Sequence, residues 1–227
     1  MCGRYMIVDH TEISERFQLR HIPATLFPTY NAAPTQHLPV VIQRDEGREL
    51  DLLRWGLIPR WRKSGPGRIP EPINARAETI LEKPMFRSLV KSKRCLVPAN
   101  GFYEWQRTGG PKQPYLIRPT DQGMFAFAGL YDETPGEDRE LIGSYAIITT
   151  GPNAVMTSIH DRMPVILRRE DEAEWLDPDV TDPGIVALLQ PYPAEATVAQ
   201  PVSSAVNNTR NNGPELIEPV RDTGPTT

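Results

Sequence analysis

Cys2 directly follows the initiator methionine in the run Met1-Cys2-Gly3-Arg4. Its side chain is small enough for Met1 to be trimmed co-translationally, leaving an α-amine and a thiol on adjacent carbons. An α-amine has a reference pKa of about 7.7–8.0, so much of it is neutral near pH 7. Such a pair condenses with an aldehyde to an imine and then closes through sulfur to a five-membered thiazolidine. No internal cysteine can do this. The plainer alternative is a small buried residue that happens to stand beside the start.

Three further strings carry groups suited to proton transfer or anion binding. In Ile73-Asn74-Ala75-Arg76-Ala77-Glu78-Thr79, an extended backbone points Asn74 and Arg76 to the same side. Gly101-Phe102-Tyr103-Glu104-Trp105 places Glu104 in an aromatic strand, facing the same way as Phe102. Burial there raises a carboxyl pKa and suits it to general acid catalysis near neutrality; the alternative is a glutamate on an exposed edge. His160, in His160-Asp161-Arg162-Met163-Pro164, stands between a helix end and a strand, with an acid and a base beside it in Asp161 and Arg162. It can shuttle protons there, or simply hold its loop by hydrogen bonds.

The elements that must position these groups are short. Asp9-His10-Thr11-Glu12 has the pattern of a capping box, after which Ile13 and Phe17 share a helix face. Val40–Ile42 and Leu50–Ile58 read as strands, as do Arg94–Val97, Gly101–Trp105, Pro114–Arg118, Met124–Leu130, Ser144–Thr150 and Val165–Leu167. Ala75–Lys93 has helical composition, with Pro84 expected to split it into two helices. Short helices are expected near Asn153 and Glu170 and from Asp182. Many short strands with few helices predict one α+β domain, residues 1–220, around a curved, barrel-like, mainly antiparallel sheet flanked by short helices. Residues 221–227 are expected to form a mobile tail.

Composition narrows the partners. Between Arg54 and Arg94 eleven basic residues stand against three acidic ones, in a chain whose overall balance is −4. Trp55 and Trp61 interleave with the first of these bases, as on surfaces that pair phosphate contacts with base stacking; a merely solvated basic face is the alternative. Cys2 and Cys95 are the only cysteines, too few for a disulfide framework, and His10, His21, His37 and His160 show no metal-ligand spacing. The expectation is a reducing, cytoplasmic setting with no metal, no cofactor and no membrane segment.

Taken together, the strings resemble one family. Met1-Cys2-Gly3-Arg4-Tyr5, Tyr30-Asn31-Ala32-Ala33-Pro34, Trp55-Gly56-Leu57-Ile58-Pro59-Arg60-Trp61, Asn74 to Thr79, Phe102 to Trp105 and His160 to Pro164 are similar, in order, to motifs of the SRAP family. The stretch Val202–Val220 resembles the family's C-terminal region. This family was named for SOS-response-associated peptidases and is understood as abasic-site processing proteins.

The resemblance implies binding to single-stranded DNA containing abasic sites, including single-strand/double-strand junctions, by a monomer that joins the bacterial nucleoid during DNA damage. It implies that mature Cys2 forms a thiazolidine crosslink with the ring-opened sugar aldehyde. Asn74 would hold the sugar or the amine, Glu104 would move protons, and His160 would assist these transfers and the reverse reaction. Arg4, Arg76 and Arg162 would clamp phosphates, with Pro34, Trp61, Arg62, Arg87 and Thr149 as further DNA contacts. Arg62 stands where the family often carries a second aromatic, so a wedge at a junction is replaced there by a side chain that can stack and also meet a phosphate. Weak abasic-site lyase activity and self-removal of Met1 are further implications. Two other readings remain open at this point: an N-terminal-cysteine amidohydrolase or peptidase, and a non-enzymatic single-strand binder.

Overall fold

The computed structural model describes residues 2–22, 25–60, 71–106, 110–121, 123–136 and 140–220. The chain opens with β1 (Tyr5–Ile7), α1 (Ile13–Phe17), β2 (Leu19–His21), β3 (Thr29–Ala32), β4 (His37–Arg44) and β5 (Gly47–Trp55). The middle holds β6 (Asn74–Arg76), α2 (Pro84–Ser92), β7 (Arg94–Ala99), β8 (Gly101–Gln106), β9 (Gln113–Pro119), β10 (Phe125–Pro135) and β11 (Leu141–Thr150). It ends with α3 (Ala154–Thr157), β12 (Met163–Pro164), β13 (Ile166–Leu167), α4 (Glu172–Leu176), α5 (Asp182–Leu188) and β14 (Thr197–Pro201).

Five strands close a barrel. β10, β7, β4 and β5 pair antiparallel in that order, β5 meets β11 in parallel, and β11 returns antiparallel to β10. So few strands leave a narrow interior. Gly129 on β10 is closely packed, since a Cβ there would come 2.8 Å from the Cys95 sulfur and 2.9 Å from Val97. The fold is α+β with a mainly antiparallel, barrel-like sheet, as the strand pattern predicts. The β2–β5, β5–β11 and β6–β11 pairings are parallel.

A second sheet, in the order β14-β9-β8-β1-β3, lies against the barrel. The two-residue alternation of β8 sorts its side chains between faces. Phe102 joins the main core, whereas Tyr103 packs with Met6, Leu116, Val202, Val206 and Leu216 under the C-terminal segment. That Asn- and Pro-rich segment is fastened by Asn31, whose Nδ2 donates to the carbonyls of Val206, Asn208 and Asn211 at 3.0–3.1 Å. In return, Asn212 Oδ1 accepts from the backbone N–H groups of Tyr30 and Asn31. The tail expected over 221–227 lies outside the described residues.

Three sequence expectations are corrected. The first is the capping box: Asp9 Oδ1 accepts from the backbone N–H and the hydroxyl of Thr11, and no side chain caps α1, a helix of only five residues. The second is the helix over Ala75–Lys93. Asn74–Arg76 is a strand paired with Ile147–Thr149 of β11, followed by a 3₁₀ turn, and Pro84 starts α2 rather than splitting a longer helix. Pairing with the barrel outweighs helix propensity, and a proline at the first helical turn forfeits no bond. The third is Trp55, which is fully buried, donates to the carbonyl of Ile73 and packs edge-on against Tyr5. It is a core residue, not a stacking surface.

Several bases of the Arg54–Arg94 run also serve the fold. Arg54 pairs with Glu71 and Lys93 with Glu133, each at 2.8 Å. Buried Arg94 donates to the carbonyls of Val90, Trp175 and Asp177, meeting the carbonyl-rich ends of α2 and α4. Arg16 and Glu172 form a further bidentate pair at 2.8 and 2.5 Å, with Glu172 2% exposed. Glu172→Ala leaves the Arg16 charge uncompensated and is expected to lower stability by about 3–5 kcal/mol in chemical denaturation. A loss below about 1 kcal/mol, typical of solvated pairs, would contradict that assignment.

Candidate active site

Glu104 is the buried carboxyl of the site. On β8 it points to the side of Phe102, and it is 3% exposed. Burial, with the nearby negative charge of Asp161 adding to it, raises its pKa to about 7. It is therefore divided between acid and base at neutral pH.

His160 approaches from the turn after α3. Asn153 caps that helix through Oδ1, which accepts from the Met156 N–H at 3.0 Å, and the His160 N–H closes the turn on the Met156 carbonyl at 2.8 Å. Its Nε2 lies 3.9 Å from Glu104 Oε2. Its Nδ1 lies 3.0 Å from the backbone N of Arg162 and 3.0 Å from Asp161 Oδ1. These two neighbours require opposite states of Nδ1, a lone pair for the N–H and a proton for the carboxylate. The backbone donor is fixed, whereas the Asp161 side chain is 89% exposed and can turn to water. The assigned state is thus the neutral imidazole with its proton on Nε2, facing Glu104. At 3.9 Å the two groups exceed hydrogen-bond length and can bracket a third atom.

Cys2 is fully buried in the core cluster that also holds Tyr5. Burial pushes its thiol well above the ordinary range, and the negative charge of Glu104 pushes it further. The β1–β8 pairing, continued by the Tyr103 N–H donating to the Arg4 carbonyl at 3.0 Å, brings Cys2 and Glu104, distant in sequence, into one neighbourhood. The thiol is neutral at physiological pH.

β6 supplies the amide and the guanidinium. Asn74 pairs opposite Ile147 and Arg76 opposite Thr149, both facing away from buried Ala75. Asn74 Nδ2 donates to the Ile147 carbonyl at 3.4 Å, and its buried Oδ1 has no donor among the described residues. Arg76 is exposed and makes no ion pair among the described residues. It opens onto a cleft of about 420 Å³ that it lines with Glu104, Trp105, Lys112, His160, Asp161 and Arg162. A second cleft of about 430 Å³, reaching Pro152 and Thr157–Ile159, adjoins at His160 and Asp161.

The remaining expected residues divide clearly. Arg162 lines the cleft, but its fork is held by Glu78 at 2.5 and 2.9 Å and by the Thr149 carbonyl at 2.7 Å. Thr149 is fully buried and acts on Arg162 from within. Arg4 is half-buried, with Nη1 donating to the Val206 carbonyl at 3.3 Å. Pro34 stands in the turn Ala33–Gln36, where Thr35 takes a φ of 76°, an uncommon conformation for a β-branched residue. Arg87 is exposed on α2, with no hydrogen bond or ion pair to the cleft among the described residues. Trp61 and Arg62 lie outside the described residues. Glu78 and Lys112 carry no local sequence signal for a role in this cleft. The Glu78–Arg162 partners are 84 positions apart, and no local pattern links them.

A model of the family described as SOS response associated peptidase (SRAP) matches residues 1–209. The chain belongs to the SRAP family. Among SRAP relatives, abasic site processing protein YoqW of Bacillus subtilis is 46% identical over 223 residues, spanning 96% of this chain and 99% of its own. Abasic site processing protein YedK of Escherichia coli is 33% identical over 229 residues, spanning 97% and 100%. In solved structures, a protein from Bacteroides thetaiotaomicron superposes with a TM-score of 0.87 at 29% identity, covering 96% of this chain and all of its own. Among the described residues of this SRAP chain no helix is long and apolar enough to cross a membrane, and no group of side chains is arranged to hold a metal ion.

Proposed function

We propose that this SRAP chain captures abasic sites in single-stranded DNA as a covalent thiazolidine adduct of Cys2. The observation that carries the reading is the buried Glu104 carboxyl, with a pKa near 7, which lies 3.9 Å from His160 and whose charge acts on the Cys2 thiol. The names of the relatives, abasic site processing proteins, supply the substrate class.

Removal of Met1 frees the α-amine. That amine adds to C1′ of the ring-opened deoxyribose, and water leaves to give an imine. The Cys2 sulfur then adds to the C=N carbon while the nitrogen takes a proton, closing the ring. One water is lost overall and nothing is oxidised or reduced. The neutral thiol makes the amine the first nucleophile, because the thiolate is suppressed by burial and by Glu104. Glu104 donates a proton as the hydroxyl leaves and accepts one as sulfur adds; His160, through Nε2–H, returns protons and serves the reverse reaction. Asn74 Oδ1 offers an acceptor for the amine or a sugar hydroxyl. Exposed Arg76 is the foremost phosphate contact, with Arg4, Pro34, Trp61, Arg62 and Arg87 proposed along the strand. Arg162 would meet a phosphate only in competition with Glu78. Diversion of the imine to β-elimination gives a weak lyase activity.

An amidohydrolase needs the sulfur as first nucleophile, and the burial of Cys2 opposes that role. A simple strand binder has no use for a carboxyl held near 7. The test is incubation of the mature protein with single-stranded DNA carrying one abasic site, followed by denaturing electrophoresis. A shifted band that survives heat, absent with intact DNA, is expected. Equal retention of both DNAs under native conditions, with no band surviving heat, would replace capture by plain binding.

A further inference from the structure

We propose that Glu78 is a positioning residue for His160, acting through Arg162. The proposal rests on the abasic-site reading for its catalytic consequence, but its structural half stands alone. Glu78 comes from the turn after β6, and His160 and Arg162 from the segment before β12. The two segments are tied by a fork-to-fork pair, Arg162 Nη1 to Glu78 Oε1 at 2.5 Å and Nη2 to Oε2 at 2.9 Å. Arg162 Nη2 also donates to the Thr149 carbonyl at 2.7 Å. Three bonds on a planar guanidinium fix both its position and its plane. A side chain pinned in this way leaves its own backbone little freedom, and the Arg162 N–H is the donor that meets His160 Nδ1 at 3.0 Å.

The brace therefore selects one form of the imidazole. With Nδ1 accepting from Arg162, the ring proton sits on Nε2, the nitrogen 3.9 Å from Glu104. Without the brace, the exposed Asp161 carboxylate, 3.0 Å from the same Nδ1, competes for it and favours the other tautomer. That tautomer turns a lone pair toward Glu104 and loses the donor the site requires. Arg162 is thereby a strut at least as much as a phosphate contact, since its charge is already matched by a carboxylate.

The experiment uses the mature full-length protein as wild type, Glu78→Gln and Glu78→Ala, labelled with ¹⁵N-histidine. The His160 signals are assigned by their loss in His160→Gln. In wild type, Nδ1 is expected to resonate as an unprotonated nitrogen and Nε2 as a protonated one; in Glu78→Ala Nδ1 is expected to move toward the protonated position and Nε2 toward the unprotonated one. Single-turnover crosslinking at saturating abasic DNA should slow roughly 10–100-fold in Glu78→Ala, the scale of a misplaced catalytic group. Affinity for intact single strands should change less than about threefold, the loss or gain of at most one phosphate contact. Glu78→Gln, which keeps one acceptor for Arg162, should recover most of the rate, and it carries the test if the alanine variant does not fold. An unchanged His160 tautomer in the folded variant overturns the brace. So does tighter, more salt-dependent binding with an unchanged rate, which would make Glu78 a screen for the Arg162 charge. If wild type forms no adduct while the tautomer still responds to Glu78, the abasic-site reading fails and the brace stands.

Discussion

Cys2→Ala is expected to abolish the heat-stable DNA adduct while leaving strand binding intact. Alanine keeps the freed α-amine, so an imine can still form with the abasic aldehyde. It cannot close a ring, and the imine hydrolyses when the protein is denatured. The variant should therefore yield no shifted band without reduction, yet give one after borohydride treatment. It should also cleave abasic strands more than wild type, because β-elimination drains the same imine. The fold should tolerate the change, since Cys2 is buried and the substitution removes only its sulfur. A stable band of wild-type intensity in Cys2→Ala would show that the bond is made elsewhere.

Glu104→Gln has the second large effect, and its sign can be worked out. The amine must be neutral to attack, and its fraction in that form rises as pH passes through about 7.7–8.0. Glu104 must be protonated to release the hydroxyl, and that fraction falls above about 7. The rate of adduct formation is thus expected to be bell-shaped, with its maximum between the two values. Glutamine cannot donate an acidic proton, so the falling limb should vanish and the rate near pH 7 should drop roughly 10²–10⁴-fold. Stability should move the other way. The folded-state pKa of Glu104 is raised, so its protonated form stabilises the fold at low pH and that contribution is lost as pH rises through about 7. Glu104→Gln should then melt at or above the wild-type temperature at pH 8. A rate profile unchanged in shape, or a variant destabilised at pH 8, would move Glu104 out of the chemistry and into the structural core.

Local pattern carried most of the strands and one decisive orientation. The Phe102–Glu104 alternation by itself places the carboxyl on the core side of β8, and Asn74 and Arg76 share a side as their spacing requires. Which strands close the barrel is not readable from the sequence, because the parallel β5–β11 pair joins segments about ninety residues apart and each strand shows only its own alternation. Ala75–Lys93 misled for a related reason, since its helical composition yields to a strand partner from β11. Trp55 looked like a stacking residue because it sits among bases, whereas its burial is decided by Tyr5 and Tyr145 from remote strands. The Glu78–Arg162 pair and the high-lying Cys2 thiol are likewise products of folding.

The capture proposed for this SRAP chain rests on one adduct, and an intact-mass and peptide-mass measurement reads that adduct directly. The account predicts a single adduct on the N-terminal peptide, beginning at Cys2 without Met1. Its mass should be that of peptide plus abasic strand less one water, with the Cys2 thiol resistant to alkylation. An adduct on a lysine, or on a chain that retains Met1, would contradict it.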